Sequence, residues 1–594
     1  MSTYYSSTKY EGPEVIVVAM DIGTTHSAVS FAHFSPGCHL QGKMVAHWPG
    51  QAHWNGAVKT PSMVSYRDGV VKACGAEAVQ DFEEDPENVA YWFKLHLHPA
   101  MVSEPSYSQQ FEIPPLPAGI SIERVYADLM RYLMDNTKRF FQTTTPDGSQ
   151  IWERLCDSIV FVLATPNGWD IREQVILRKA AIMASLVTEE NAGQLLQFIT
   201  EAEASVHYAI ANQSFEWLKK NTVFAVVDCG GSTVDTTVYR CVSTDPLSLK
   251  EVCPSECVQA GGIFVNREAK KMLEMKLKGS LFDDPEIIRS MLNAFESELK
   301  PQFDGAIDEY SLKIGSIADS DPQLRINKGR ITLSNEDLKP VFNGIIDKIL
   351  ASCSITIRHN AEYVILVGGF AESPYVRKVL SNKLDRHFIQ TITVGDYAKK
   401  AAAEGAIITR IKQFVVARAA RATFGGCVRP IYDRKLHSDR RHMIQTYADG
   451  KERVDGAFHV WIPKGTVLQG TSAHKLPYHV AWDATSTQRK ELTGRLGKIG
   501  IEVFAYEGSS IPTWCKDENG EVVEGMRLIC TLNADLSALA GGLQIRTGPR
   551  ETRFYRVDYN VCVYFGGTQL HAKLQWNEKG VIREGPVTVM PYVS

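Results

Sequence analysis

Two short segments of this chain combine an aspartate, a glycine and small hydroxyl residues in the same order. The first reads DIGTTHSAV and begins at Asp21, and the second reads DCGGSTVD and runs from Asp228 to Asp235. Each segment follows an apolar, strand-like run and leads into another one. The two segments lie far apart in the chain, so the repeat indicates two duplicated lobes and not a short solenoid repeat.

These residue types suit the binding of a phosphate and its metal ion. A tight turn with glycine lets the backbone approach a ligand, and successive N–H groups with threonine or serine hydroxyls form a concave set of donors for phosphate oxygens. The aspartates would repel a phosphate, but carboxylates hold the water shell of Mg²⁺. One such segment is equally well explained by a β-turn with an aspartate hydrogen bond. Two copies favour a triphosphate and Mg²⁺ held between facing hairpins.

A third glycine signal lies in YVILVGGFAESPYVRKVL, which starts at Tyr363. An apolar strand is followed by Gly368 and Gly369, and then by a predicted helix with Ser373 as its N-cap and Pro374 in its first turn. Paired glycines let a flat ring or a sugar pack against the backbone, although a tight strand-to-helix connection has the same pattern. The chain has no G-x-x-x-x-G-K-[ST] segment, so the hairpins must carry any nucleotide site.

The elements that position these segments follow from the apolar periodicity. From residue 14 to about residue 421, strand-like runs alternate with helical spacing in two halves, about 14–221 and 222–421, which predicts an α/β domain with two lobes. Residues 422–594 instead alternate with a period of two and predict a β-rich C-terminal domain. Residues 1–13 are polar and predict a flexible tail. The clearest predicted helices follow Ser121 and the capping box of Ser334 and Asp337.

Composition excludes few classes of function, but together with the apolar pattern it argues against several cellular locations. The 594 residues suggest about two or three domains. A hydrophobic content of 44%, a charged content of 22% and a net charge of −4 give no general attraction to nucleic acids or anionic membranes. No uninterrupted apolar run approaches the roughly 20 residues of a membrane span, and the N-terminus lacks the pattern of a signal peptide. We expect a cytoplasmic protein, with the nucleus as a second location, and no partnership with nucleic acid or membrane.

Taken together, these segments resemble the heat-shock protein 70 branch of the actin-like ATPase superfamily, over residues 15 to about 410. DIGTTHSAV resembles its first phosphate loop, DCGGSTVD its second and ILVGGFAESP its adenosine motif. The segments between them are similar in order and spacing, including KTPSMVSY, FKLHLH with Lys94 and ITEAEASVHYAI with Glu201. The resemblance implies a duplicated actin-like, ribonuclease H-like ATPase domain that binds ATP or ADP with Mg²⁺.

The resemblance also implies roles for individual residues. Asp21, Asp228 and Asp235 would hold Mg²⁺ through water, and Lys94 would contact the γ-phosphate and position the attacking water. The catalytic set would be Lys94, Glu201, Asp228 and Thr233. Residues expected to contact the nucleotide are Gly23, Thr24, Thr25, His26, Gly230, Gly231, Ser232, Thr233, Gly261, Gly262, Lys300, Gly368, Gly369, Phe370 and Glu372.

Some residues depart from the family pattern. His26 stands where the family usually has an aromatic residue, and Ser232 replaces a glycine of the second phosphate loop. Glu372 occupies the position of an arginine over the adenine, and Ile263 replaces an acidic residue. Lys300 is the candidate for the basic side of the adenine pocket. These departures affect the expected adenine affinity and hydrolysis rate.

Downstream of the ATPase-like part, no leucine-rich linker and no helical lid are predicted. GGFAESPYV and ARATFGGCVRP are more similar to the divergent 12A/12B-like branch than to general folding chaperones. The resemblance implies a slow, weak Mg²⁺-dependent ATPase, in which lobe closure controls the binding of a protein or peptide client by the β-rich domain. Two alternatives stay open at this point: a sugar or polyol kinase of the same superfamily, and a nucleotide-bound scaffold that does not hydrolyse ATP. The sequence indicates no particular co-chaperone.

Overall fold

The structure is a computed structural model that describes residues 9–39, 41–51, 57–98, 113–169, 171–212, 216–394, 401–411, 414–469, 474–485, 489–497, 499–508, 510–564, 571–578, 580–586 and 588–591. The chain divides into two compact units. The first unit comprises Met1–Trp169, Ile176–Lys250 and Ser255–Val415, and the second comprises Asp170–Val175, Glu251–Pro254 and Val416–Ser594. The predicted boundary at residues 421 and 422 falls inside the second unit.

The first unit contains a mixed sheet built on the first D-x-G segment. Strands Val15–Ile22 and His26–Phe34 form an antiparallel hairpin, called the first hairpin below. Val15–Ile22 also runs parallel to Val160–Thr165, which in turn runs parallel to Leu196–Thr200. Val160–Thr165 is buried along its whole length, as expected for a central parallel strand covered on both faces. Two short strands, Lys43–Met44 and Lys59–Pro61, pair with His26–Phe34.

A second mixed sheet of this unit repeats the same topology around the other D-x-G segment. Strands Val223–Cys229 and Val234–Thr244 form the second hairpin, which is antiparallel. Val223–Cys229 also runs parallel to Tyr363–Val367, and that strand runs parallel to Gln390–Thr393. The repeat predicted from the two sequence segments is therefore a repeat of an antiparallel hairpin followed by two parallel strands.

Two helices of the first unit pack against each other unusually closely. Helix Glu201–Asn212 comes directly after strand Leu196–Thr200 in the chain. Helix Ala401–Ile411 packs against helix Glu201–Asn212 near Ala204. A Cβ atom on Gly405 would lie only 1.8 Å from the carbonyl oxygen of Ala204. Glycine at this position is therefore what allows the two helix backbones to touch.

The predicted helix starts are confirmed by the capping geometry. Ile122–Thr144 begins after Ser121, whose hydroxyl accepts a hydrogen bond from the Arg124 N–H. Asn335–Ser352 begins with the predicted capping box of Ser334 and Asp337. The other α-helices among the described residues are Val79–Glu84, Gly148–Leu155, Ile171–Met183, Ala192–Leu195, Gly262–Leu277, Pro285–Ala294, Lys300–Gln302, Ser354–Arg358, Pro374–Asp385 and Arg489–Leu496.

One helical stretch, Asn335–Arg358, is long and apolar enough to cross a membrane by length and composition, although the sequence had shown no uninterrupted apolar run of that length. Half of its most apolar window is buried inside the protein. Leu338, Phe342, Ile345 and Ile349 pack into the core at the spacing of one helix face. This arrangement is that of a core helix.

The second unit confirms the predicted β-rich C-terminal region. One sheet has the order Ala457–Ile462, Thr423–Val428, Ile499–Tyr506, Met526–Ala534 and Thr588–Pro591. Another has the order His474–Asp483, Arg553–Tyr564, His571–Glu578 and Val581–Pro586, with Ile545–Thr547 paired to Arg553–Tyr564. Helix Arg489–Leu496 was not predicted, because in this short segment only Leu492 and Leu496 mark the buried helix face.

The second unit builds its own hydrophobic core from residues of both sheets. This core buries Val557, Tyr559, Val561 and Val563, which follow the period of two predicted for this region, and Ile462 of the other sheet. These side chains stabilise the unit itself and are not available to a partner. Of the predicted flexible tail, residues 1–8 lie outside the described residues, while Tyr10 packs against Phe34 in the first unit with ring centroids 5.2 Å apart.

Candidate functional site

The turns of the two hairpins meet in the first unit. The Thr24 and Ser232 hydroxyl oxygens lie 2.7 Å apart and share a hydrogen bond. Gly231 lies against Thr24 and Thr25, because a Cβ atom added to it would be 3.1 Å from the Thr25 hydroxyl. The structure therefore brings together the two segments that the sequence singled out. Since the two hydroxyls touch, a ligand would lie beside this hydrogen bond and not between them.

Beside the meeting point lies a cleft of about 800 Å³. Most of the residues predicted for a nucleotide site line it. These residues are Asp21, Gly23, Thr24, Thr25, His26, Lys94, Glu201, Asp228, Gly230, Gly231, Ser232, Thr233, Gly262, Lys300, Gly368, Gly369, Phe370 and Glu372. Gly261 and Asp235, also predicted, stand just behind this lining.

Carboxylates crowd one end of the cleft. Asp21 lies at the end of strand Val15–Ile22, and Asp228 faces Asp235 across the second hairpin. The Ser205 hydroxyl donates to Asp228 Oδ2 over 2.8 Å. Burial, together with the negative charges of Glu201, Asp235 and Asp21, raises the pKa of Asp228 to about 7. This end of the cleft therefore favours the approach of a cation.

A buried ion pair joins Lys94 and Glu201. The Lys94 ammonium donates to Glu201 Oε1 over 2.6 Å, and the two side chains are only 7% and 12% exposed. Burial lowers the pKa of Lys94, but Glu201, Asp21 and Asp235 outweigh this effect, so that the pKa lies above its ordinary value. Lys94 is therefore charged at neutral pH.

The start of helix Gly262–Leu277 is tied to the second hairpin turn by backbone hydrogen bonds. The Gly261 N–H donates to the Ser232 carbonyl oxygen over 2.9 Å, and the Ile263 N–H donates to that of Gly231 over 2.9 Å. Gly261 thus supports the turn from behind. The helix start and the turn consequently form one wall of the cleft.

The opposite end of the cleft is less charged and contains an aromatic ring. The Lys300 ammonium donates to the Gly262 carbonyl oxygen and to Asn266 Oδ1 over 2.8 and 2.9 Å, and it lies 5.8 Å from the centroid of Phe370. Burial lowers the pKa of Lys300. Gly368, with a positive φ of 87°, lies beside the carboxylates instead, because a Cβ there would be 2.4 Å from the Cys229 carbonyl oxygen and 2.5 Å from Asp228 Oδ1. This position therefore requires glycine.

The strand-to-helix junction after Gly369 has the predicted cap. The Ser373 hydroxyl accepts a hydrogen bond from the Val376 N–H, and Pro374 is the first residue of helix Pro374–Asp385. Glu372, the predicted replacement for a family arginine, lines the cleft, and its backbone carbonyl accepts from Arg377. The cleft therefore carries an acidic side chain near Phe370.

Sequence reasoning missed Lys59, Ser205 and Glu296. Ser205 lies four residues after Glu201 on one helix, so helical spacing alone would have placed both on one face. Glu296 lines the cleft and lies four residues before Lys300. Lys59 lies within the KTPSMVSY segment that carried part of the resemblance, and its ammonium is 3.5 Å from Asp21 Oδ2. No signal marks it, because its contact depends on how an edge strand pairs.

Direct metal ligation is not supported by the side chains in the described part of the chain. No group of three or more histidine, cysteine, aspartate or glutamate side chains there is arranged to hold a metal ion. A metal that keeps its water shell, as Mg²⁺ commonly does, needs no such group of direct ligands. Asp235 is 1% exposed and could act only from behind Asp228.

Comparison with known proteins finds distant relatives. The chain is 24% identical to human heat shock 70 kDa protein 12B over 469 residues, which is 64% of this chain and 66% of that protein. Heat shock 70 kDa protein 12A from human and from mouse is 21% identical over 460 residues, which is 62% of this chain and 65% of those proteins. The chain thus spans slightly less than two thirds of the length of these relatives. No family model matches the chain.

Proposed function

We propose that this chain, a distant homologue of heat shock 70 kDa proteins 12A and 12B, binds ATP and ADP in its cleft with Mg²⁺ and hydrolyses ATP slowly. The observation that carries the proposal is the meeting of the two hairpin turns through Thr24 and Ser232, at 2.7 Å, beside buried carboxylates. Two turns of this composition that meet can together offer donors to one polyphosphate lying beside their contact. An actin-like ATPase domain with two lobes accounts for the repeated sheet topology.

The acidic end of the cleft fits a hydrated divalent cation. The raised pKa of Asp228 reflects burial among other carboxylates, and a cation would relieve this repulsion. Asp21 and Asp228 would hold Mg²⁺ through water, with Asp235 adding negative charge behind them. When bound, the metal neutralises phosphate charge and orients the oxygens of the polyphosphate.

The remaining residues at this end of the cleft supply donors and one fixed positive charge. Thr24, Thr25, Ser232 and Thr233 offer hydroxyl groups for phosphate oxygens. Lys94 would approach the terminal phosphate, and its ammonium is already aligned by Glu201. Phosphoryl transfer requires mainly positioning and charge neutralisation from a protein, and these residues provide both.

The aromatic end of the cleft would hold the nucleoside. Phe370 offers a flat surface, and Gly369, which has open space where a Cβ would lie, exposes bare backbone beside it. Lys300 provides a partly buried amino group near the Phe370 ring. The carboxylates of Glu296 and Glu372 would accept hydrogen bonds from the amino group of a purine or from ribose hydroxyls.

Nucleotide titrations test this proposal directly. The purified full chain is titrated with a fluorescent ADP analogue with and without Mg²⁺, followed by competition with ATP and by measurement of phosphate release. We expect saturable binding, tightened by Mg²⁺, and slow release of phosphate. Asp228→Ala should weaken this binding, whereas Asp157→Ala, at an exposed position of the same unit, should not.

Three outcomes of these titrations would change the proposal. Absence of saturable nucleotide binding would refute it. ADP formation that requires a small sugar would replace it with a kinase of the same superfamily. Tight binding without any phosphate release would leave a nucleotide-bound scaffold that does not hydrolyse ATP.

We further propose that nucleotide state regulates the binding of a protein or peptide client by the β-rich second unit. The support is the order of the two parts along the chain, which is similar to that of the family. Crosslinking of the full chain to cell proteins, in ATP and in ADP, tests this idea when the crosslinked residues are identified. Crosslinks in residues 422–594 that change with the nucleotide are expected. Identical crosslinks in both states would contradict regulation.

A further inference from the structure

Lys59 places a second positive charge at the acidic end of the cleft. It lies on the short strand Lys59–Pro61, where it is paired with Ala28 of the first hairpin. Its ammonium is 3.5 Å from Asp21 Oδ2, and its side chain lines the cleft. Lys59 is therefore close to any phosphate that the first hairpin turn would hold.

The strand that carries Lys59 is fixed to that turn. The Ser62 N–H donates to the Thr25 carbonyl oxygen over 2.9 Å, and the Ser62 and Ser27 hydroxyls share a hydrogen bond of 2.8 Å. Ser27 and Ser62 are both buried. The backbone of Lys59 is thus anchored beside the turn, and only its side chain needs to move.

The two cations at this end differ in how firmly they are held. Lys94 contacts Glu201 at 2.6 Å with 7% of its side chain exposed, whereas Lys59 contacts Asp21 at 3.5 Å with 22% exposed. A short buried pair is costly to break, but a longer and partly hydrated one is not. Lys59 is therefore the cation that can exchange its carboxylate for a phosphate.

We propose that Lys59 is a phosphate-binding residue that supplies part of the positive charge that Mg²⁺ would otherwise supply. The inference rests on the proposed nucleotide site and adds a specific property to it. The chain should retain measurable nucleotide binding without divalent metal, because Lys59 remains to neutralise the phosphates. The competing explanation is that Lys59 only balances the charge of Asp21.

The test compares nucleotide affinity with Mg²⁺ and with EDTA in the full chain. Lys59→Met removes the charge, Lys59→Arg keeps it, and Lys43→Met is the control on a neighbouring strand of the same sheet, at an exposed lysine outside the cleft. Loss of a charged contact should weaken ATP binding by Lys59→Met about tenfold in EDTA and less than about threefold in Mg²⁺. Lys59→Arg and Lys43→Met should stay near the original affinity.

The double variant Asp21→Asn with Lys59→Met separates the two explanations: ATP binding in EDTA stays weakened if Lys59 contacts phosphate, and it recovers if Lys59 only balances Asp21. Adenosine, which has no phosphates, controls for damage to the nucleoside end of the cleft. Its affinity should be unchanged in Lys59→Met if Lys59 contacts phosphate. Equal weakening of ATP binding in EDTA and Mg²⁺, or no weakening in EDTA, would overturn the inference while leaving nucleotide binding intact. A chain that binds no nucleotide in either medium would refute both this inference and the proposed function. Lys59→Gln provides the same comparison if the methionine variant is unstable.

Discussion

Replacing Lys94 by methionine should destabilise the protein before any nucleotide is added. The ammonium of Lys94 is the direct partner of Glu201 at 2.6 Å, and Asp21 and Asp235 also act on its charge. Its removal leaves the Glu201 carboxylate buried among other carboxylates without its cation. Breaking a buried pair in this way typically costs about 3 to 5 kcal/mol, so we expect the free energy of unfolding to fall by this amount.

Replacing the partner residue, in Glu201→Gln, should lower the free energy of unfolding less than Lys94→Met does. This difference between the two variants is the sharper part of the prediction. In Glu201→Gln, Lys94 keeps the negative charges of Asp21 and Asp235 nearby. The double variant Lys94→Met with Glu201→Gln should recover much of the stability lost in Lys94→Met alone, because the glutamine leaves no unpaired charge.

Urea unfolding in EDTA, followed by circular dichroism, measures these differences. Lys72→Met serves as the control, since its partner Asp81 lies in the same unit but Lys72 is 45% exposed, and such a pair contributes about 1 kcal/mol or less. The reasoning would be refuted if Lys94→Met were as stable as the original chain, or if Glu201→Gln were the more damaging change. In separate assays, Lys94→Ala should still bind ATP but should release no phosphate.

Three further predictions follow. Because Asp228 has a pKa raised to about 7, the folded state keeps this proton at pH values where the unfolded chain has lost it. In the metal-free protein, Asp228 should therefore contribute a loss of about 1.4 kcal/mol of stability per pH unit between about pH 4 and 7, and urea titrations of Asp228→Asn at several pH values should lack this contribution. Asp21→Asn should abolish the tightening of nucleotide binding by Mg²⁺, and an unchanged Mg²⁺ titration would contradict its metal role. Gly405→Ala should lower the melting temperature because its Cβ meets Ala204, whereas Gly344→Ala, with open space around it on an exposed helix position, should not.

The sequence predicted those features that depend on local pattern. The caps at Ser121 and Ser334 and the buried stripe from Val557 to Val563 follow from spacing along one element, and the structure has them. The homology to the 12A and 12B proteins also matches the resemblance carried by the glycine segments.

Features that depend on packing between elements could not be predicted in this way. The contact of Thr24 with Ser232 depends on how the two hairpins are positioned relative to each other. Close packing between helices, such as that of Gly405 on Ala204, helps to set this position. Lys59 reaches Asp21 only because its short strand pairs with the first hairpin at Ala28. Helix Arg489–Leu496 was missed because its buried face is marked by so few apolar residues.

The first turn of helix Glu201–Asn212 has one more consequence. Glu201 accepts a hydrogen bond from Lys94, and Ser205 donates one to Asp228 of the second hairpin. Four residues of α-helix rise about 6 Å. The helix backbone therefore sets the spacing between the Lys94 ammonium and the Asp228 carboxylate, which belong to different parts of the chain. Inserting one residue between these two side chains would rotate them onto different sides of the helix and disconnect both contacts at once.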